Sequence, residues 1–132
     1  MKIAAVCGSF HKEEIQRMLE YAENEANIHG AQISKIIWVP GSMEVPLALD
    51  RLLKDSEVDA AIALGIFERG ETQHGLVMGQ AVTKSIIDLQ LLSMKPIGFG
   101  IIGPGAEEEQ IDKRVEVHAR QAVLAVSEML SN

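Results

Sequence analysis

Cysteine is almost absent from this sequence. The single thiol, Cys7, excludes an intramolecular disulfide, and its place inside an apolar run reads as a buried strand residue in a reducing compartment. A reactive thiol is the competing reading. Long hydrophobic runs are missing as well, none approaching the ~18 residues of a membrane span. Only five residues separate Lys2 from Gly8, too few for the apolar segment of a secretory leader, so a cytoplasmic protein with no membrane partner is expected. Positive charge is scarce: 12 Lys and Arg against 19 Asp and Glu leave a net charge of −7. Such a chain lacks the basic field that displaces counterions from nucleic acid, so no nucleic-acid partner is expected and any phosphate is held locally. Aromatic residues are few, so Phe10, Trp38, Phe67 and Phe99, all expected at strand ends or adjoining turns, stand out.

What the sequence does have is strict alternation. Residues 1–132 fit one domain, long enough to bury roughly two-thirds of the surface the unfolded chain exposes. Short apolar runs at Ile3–Cys7, Ile33–Val39, Ala60–Leu64 and Pro96–Ile102 each close on Gly or Pro, as strands buried on both faces do. Helical spacing of apolar residues occupies His11–His29, Met43–Lys54, Thr72–Leu92 and Glu107–Leu130. Pro46 falls near the start of the second helix, where a missing N–H is tolerated, and Gly30 follows the first as a stop. Four strand–helix units joined by right-handed crossovers predict a flavodoxin-like α/β/α sandwich with a four-stranded parallel sheet. A sheet this narrow has uncovered outer strands, and 47% apolar residues is high for so small a chain, so a homo-oligomer is expected.

In such sheets ligands bind beyond the carboxyl ends of the strands. Four segments are expected there: 8–11, 40–44, 65–74 and 100–105. The third, GIFERGETQH, comes within one residue of a nucleotide-binding P-loop but carries Glu71 where that loop places its lysine. Glu71 would repel the outer phosphates, which excludes a nucleotide hydrolase. The N–H groups around Glu71 and Thr72 still suit an anion, with the helix dipole behind them. Thr72 reads either as part of that site or as a helix cap with no ligand.

His74 lies in the first turn of the same helix, and imidazole gives and takes protons near neutral pH. A solvated surface histidine is the alternative, and the glycine turn, threonine and buried strand upstream raise the functional reading. Arg114 offers a fork of donors to a phosphate if its helix, here or in a neighbouring subunit, reaches the site; otherwise it pairs with acids such as Glu108. His118 shares its face. Glu107, Glu108 and Glu109 decorate a helix start. Glu44 accepts hydrogen bonds from ligand hydroxyls or is a first-turn acid. Phe10, Met43 and Phe99 offer an apolar wall to a flat heterocycle, or belong to the core or an interface.

The segments VPGSMEVPLA, ALGIFERGETQH and PIGFGIIGPG, in this order and at these spacings, resemble the 6,7-dimethyl-8-ribityllumazine synthases, and the GPG turn resembles their archaeal branch. The resemblance covers essentially the whole chain. It implies condensation of 5-amino-6-(D-ribitylamino)uracil with L-3,4-dihydroxy-2-butanone 4-phosphate, the penultimate step of riboflavin biosynthesis, with no metal or organic cofactor. It implies pentamers or 60-subunit shells of pentamers, with sites between adjacent subunits. By the same resemblance His74 transfers protons, and Gly70, Glu71 and Thr72 hold the phosphate with Arg114 from the neighbouring subunit. Phe10 stacks on the pyrimidine, Ser42, Met43 and Glu44 hold the ribityl chain, Ile66, Phe67 and Glu68 lie at the uracil ring, and Phe99 reaches across the interface.

Three positions depart from the family's pattern. His11 stands where an asparagine is usual, Met43 replaces a common aromatic and Glu68 replaces an aliphatic residue, so pyrimidine and ribityl binding are touched more than phosphate binding. The rival readings are an archaeal-type riboflavin synthase, which does not carry the Thr72-x-His74 element, and a non-catalytic flavodoxin-like binding or shell protein. A receiver domain is excluded, because 8–10 and 65–67 supply neither its acid cluster nor its phospho-accepting aspartate.

Overall fold

The computed structural model describes residues 1–68 and 73–132, apart from the Glu68 side chain. Strands β1 (Lys2–Gly8), β2 (Gln32–Val39), β3 (Ala60–Glu68) and β4 (Ile97–Ala106) form a parallel sheet in the order β2-β1-β3-β4. Helices α1 (Lys12–Ile28), α2 (Val45–Leu53), α3 (His74–Ser93) and α4 (Glu108–Ser131) alternate with them, giving the flavodoxin-like sandwich expected from the alternation.

The pleat sorts the apolar runs into two cores. Ile3, Ala5 and Cys7 of β1 join Ile62, Leu64 and Ile66 of β3 beneath α1 and α4, while Ala4, Val6, Ala61, Ala63 and Phe67 face α2 and α3. Helix α1 lays Ile15, Met18, Ala22 and Ala26 on the first core, and α4 adds Ile111, Val115, Ala119 and Ala122. Each large side chain buried this way contributes about 1.5–3 kcal/mol, and the alanines let the two helices close on each other. Arg17 to Asp112 (2.8 Å) and Arg120 to Glu25 (3.1 Å) tie their polar margins. Gly30, at φ 70°, turns the chain out of α1 as its position predicted.

Several boundaries differ from the sequence reading. Strand β2 is not buried on both faces: Ile36 and Ile37 are exposed, because it is an outer strand on which the helices lay little cover. Strands β3 and β4 run past Leu64 and Ile102, so Gly65–Glu68 and Gly103–Ala106 belong to the strands rather than to loops. Gly and Pro do not end these strands, because a bulge absorbs them: between the Ile66–Ile102 and Glu68–Ala106 pairs β3 has one residue, Phe67, and β4 has three, Gly103, Pro104 and Gly105. A 3-10 turn, Ser42–Glu44, precedes α2, which begins at Val45. Helix α3 begins at His74 with Gln73 as its N-cap.

Candidate functional site

The carboxyl edge is built by short turns pinned to strand ends. Ser9 donates from its main-chain N–H (2.9 Å) and its hydroxyl (2.8 Å) to the Val39 carbonyl, fixing the β1–α1 turn against the end of β2. His11 then takes a left-handed conformation, φ 60°, to enter α1. This leaves Phe10 at the apex with 70% of its surface exposed. The Phe10 ring is therefore not a core residue of this chain.

Phe10 meets the turn after β2. A β-carbon built on Gly41 would stand 3.3 Å from Phe10 Cε2 and 3.5 Å from Glu44 Oε1, so ring and carboxylate converge on the Gly41 backbone. Ser42 reaches the other way: its Oγ lies 3.7 Å from the β-carbon position of Gly65, the residue where β3 passes beneath. Met43 projects outward, 57% exposed. Phe10 and Glu44 thus meet over Gly41, with Ser42 and Met43 in the adjoining 3-10 turn. Gly41, which the sequence reading placed only within a turn segment, is the residue that permits the approach.

Ile66 and Phe67 lie in β3 with their side chains in opposite cores, so what they offer a ligand is main-chain N–H and C=O. The main chain of Glu68 pairs with Ala106. Gly70, Glu71 and Thr72, expected to hold phosphate, lie outside the described residues, as does the Glu68 side chain. His74 opens α3 and is exposed, with the Gln73 carbonyl accepting from Val77 N–H at 3.0 Å. The first-turn N–H groups of a 20-residue helix have no partner within the helix itself, which suits its end to an anion. Gly103 and Pro104 frame the same end. A side chain on Gly103 would run into the Phe67 carbonyl, and Pro104 Cγ lies 3.1 Å from the β-carbon position of Gly79 in α3.

Phe99 and Arg114 are not brought into this cluster. Phe99 pairs with Ala63 in the interior of β4, not at a strand end, and is 37% exposed. Its pleat phase matches Ile97 and Ile101 on the α2–α3 side, whereas Arg114 is exposed on α4, over the other face. Phe99 lies in β4, the outer strand opposite β2, and α4, which carries Arg114, packs on that strand. The expected pairing of Arg114 with Glu108 is not formed, and Arg114 makes no ion pair among the described residues. His118, one turn on, is half-buried; burial lowers its pKa, opposed by a hydrogen bond to the Ile101 main chain and assisted by the Arg114 charge.

Burial pushes the Cys7 thiol up to about 12, so it is a core side chain and not a nucleophile. Among the described residues no group of three or more His, Cys, Asp and Glu side chains is placed to hold a metal ion. None of the described helices is long and apolar enough to cross a membrane.

The profile of the 6,7-dimethyl-8-ribityllumazine synthase family matches residues 1–132. The chain belongs to this family. The lumazine synthase of Staphylothermus marinus is 38% identical over 130 residues, covering 98% of this chain and 87% of the relative. That of Picrophilus torridus is 35% identical, covering 98% of this chain and 95% of its own. That of Pyrobaculum arsenaticum is 38% identical over 125 residues, with 95% and 83% covered. The likeness to lumazine synthases first visible in three segments therefore extends over the whole chain, and these relatives are archaeal, as the GPG turn suggested.

Proposed function

We propose that this chain condenses 5-amino-6-(D-ribitylamino)uracil with L-3,4-dihydroxy-2-butanone 4-phosphate to give 6,7-dimethyl-8-ribityllumazine, inorganic phosphate and water, the penultimate step of riboflavin biosynthesis. The observation that carries this reading is the lumazine synthase match over every residue of the chain. Neither an archaeal-type riboflavin synthase nor a non-catalytic shell protein is favoured by that match.

The reaction asks for two bound molecules more than for strong chemistry. A pyrimidine amine attacks the butanone carbonyl and water leaves as the imine forms. Proton abstraction beside the imine then expels phosphate, and ring closure releases a second water. Holding both reactants in register replaces a bimolecular encounter and lowers the barrier by several kcal/mol, up to about 7–11 in well-oriented cases. The placement of the described residues supports these roles. Phe10 offers the exposed face on which a pyrimidine stacks, and Glu44 and Ser42 offer hydrogen-bonding groups to the ribityl chain, with Met43 beside them. Ile66, Phe67 and Glu68 present the end of β3 to the uracil ring.

His74, at the mouth of α3, is the proton carrier for imine formation and phosphate loss. The α3 N-terminus, Gly70, Glu71 and Thr72, and the guanidinium of Arg114 hold the phosphate, whose charge grows as its bond breaks. No electrons pass to an external acceptor, so the scheme uses no redox cofactor, and its proton transfers need no metal.

A site completed between subunits accounts for Phe99 and Arg114 standing on the β4 margin, away from Phe10 and Glu44. Pentamers, or 60-subunit shells built from them, are the assemblies this reading expects, and the 1–132 span acts as one domain in each subunit. A cytoplasmic location suits the reduced thiol of Cys7. The test is direct: purified protein is mixed with both substrates, and lumazine absorbance and fluorescence are followed against the spontaneous rate. Acceleration is expected, and a rate equal to the spontaneous one overturns the assignment.

A further inference from the structure

The turn that carries Phe10 is tied to β2 on both sides, and one of these ties has no part in the reaction scheme: the Lys12 ammonium lies over the Trp38 ring, 5.3 Å from its centroid. We infer that Lys12 and Trp38 are positioning residues for the pyrimidine, a clamp that fixes the start of α1 on the end of β2 and so holds the Phe10 ring in its stacking orientation. The inference rests on the stacking role proposed for Phe10.

Phe10 is 70% exposed and so has little packing of its own to orient it. Its direction depends on the backbone to either side. The turn is short, since β1 ends at Gly8 and α1 begins at Lys12. On the near side Ser9 bonds twice to the Val39 carbonyl, at 2.9 and 2.8 Å. On the far side Lys12 reaches the ring of the preceding residue, Trp38. Register explains why both ties fall on one strand end: Cys7 pairs with Trp38 and Gly8 with Val39, so β2 finishes beside the point where the turn leaves β1. Between the two ties His11 takes φ 60°, a conformation that a residue with a β-carbon keeps only where its surroundings impose it.

The two partners are unequal, and that makes the contact a clamp. Trp38 is half-buried and packs on the core beneath α1, so its ring is the fixed platform. Lys12 is exposed. A cation in the first turn of a helix faces the positive end of the dipole, so Lys12 gains nothing from its own helix, unlike Glu13 and Glu14 beside it. It makes no ion pair among the described residues. The electron-rich face of the indole is its partner instead. Without that tie the far side of the turn is loosened and Phe10 takes several orientations, of which one stacks. The pyrimidine must then select that one, which weakens its binding and leaves the reacting atoms untouched.

Steady-state kinetics of the assembled protein test this, with KM measured separately for each substrate. Lys12→Met keeps an apolar stem and removes the charge. It is expected to raise KM for the pyrimidine about threefold, the scale of a partly exposed cation–π contact, with kcat and the butanone phosphate KM within about 1.5-fold of the parent. Lys12→Arg returns a cation to the ring and keeps the pyrimidine KM within about 1.5-fold. Phe10→Ala raises that KM by itself, and Lys12→Met adds nothing to it, because Lys12 acts through the Phe10 ring. Trp38 is the only tryptophan, so its emission reads the contact directly and is expected to change in Lys12→Met. An unaffected Lys12→Met beside an affected Phe10→Ala, full additivity in the double variant, a Lys12→Arg as impaired as Lys12→Met, or an unchanged Trp38 emission overturns the inference alone. An unaffected Phe10→Ala removes the stacking role and this inference with it.

Discussion

The ring of Phe10 lies against the backbone of Gly41, with Cε2 only 3.3 Å from where a β-carbon would stand. This close approach joins the turn after β1 to the turn after β2 and brings Glu44 Oε1 to the same spot, 3.5 Å away. A branched side chain at Gly41 would have to displace either the ring or the carboxylate. Because Phe10 is largely exposed, the ring can swing outward at little cost to folding. Gly41→Val is therefore expected to raise KM for the pyrimidine about tenfold, with the melting temperature nearly unchanged and KM for the phosphate substrate unaltered. Equal loss of both affinities would show that Gly41 does not act through the stacking surface.

His74 stands at the first position of α3, exposed on the ligand edge. General acid–base residues contribute roughly 10²–10⁴-fold, and where positioning does most of the work the lower end applies. His74→Ala is expected to lower kcat about 10²-fold with KM values within a few-fold. Stopped assays monitoring lumazine absorbance measure both. Unchanged turnover would remove the proton-transfer role while leaving the binding roles standing.

The order of elements was legible because each strand is a short apolar run and each helix repeats at three and four residues; periodicity reports burial, and burial built these layers. Boundaries were less legible where tertiary pairing overrode local punctuation. Gly65 and Gly103-Pro104-Gly105 look like strand ends, but β3 and β4 continue through them around a bulge. Ile36 and Ile37 look like core residues, since a sequence does not reveal which strand lies outermost. The placement of Phe10 and Glu44 at strand-end turns was legible from the glycines beside them. The importance of Gly41 was not, because it is a distance to a residue 31 positions away.

Two glycines separate packing from backbone freedom. A β-carbon on Gly98 would overlap the Ala122 carbonyl of α4, and neither strand nor helix backbone can yield cheaply. Gly98→Ala is expected to destabilise the fold by about 3 kcal/mol, the upper range for overpacking. Gly30 has open space around it and only its φ of 70° to protect it, so Gly30→Ala should lose about 1 kcal/mol. Urea unfolding of the two variants ranks them, and a reversed order would contradict the packing of α4 on β4.

Acid sensitivity has an identifiable contributor in Glu25. A hydrogen bond with His29 at 2.8 Å holds its pKa below the usual 4.5; burial opposes the shift and Arg120, at 3.1 Å, assists it. A carboxylate whose folded pKa is depressed stabilises the fold above its unfolded value and loses that contribution as pH falls through the lower folded one. Glu25→Gln should therefore be less stable than the parent by about 1–2 kcal/mol at pH 7, with the difference shrinking below about pH 4.5. A difference constant from pH 7 to pH 3 would place the origin elsewhere.

Helix α3 carries apolar residues on two sides. Gly79, Val82 and Ile86 face the sheet, while Ile87, Leu91 and Met94 are exposed by 50%, 67% and 84%. A single chain leaving such a stripe uncovered, together with Ile36 and Ile37 on β2, presents surface of the kind that marks an interface. Scattering from the purified protein should give the mass of an assembly rather than one chain, and Leu91→Glu should shift it to smaller species. Leu91 is about 25 Å along the helix from His74, too far to touch the reacting atoms. If activity nevertheless falls in step with dissociation, the site is completed by a neighbouring subunit, as the separation of Arg114 and Phe99 from Phe10 implies. A monomeric Leu91→Glu with full turnover would refute the shared site, and the roles given to those two residues would then have to be met within one chain.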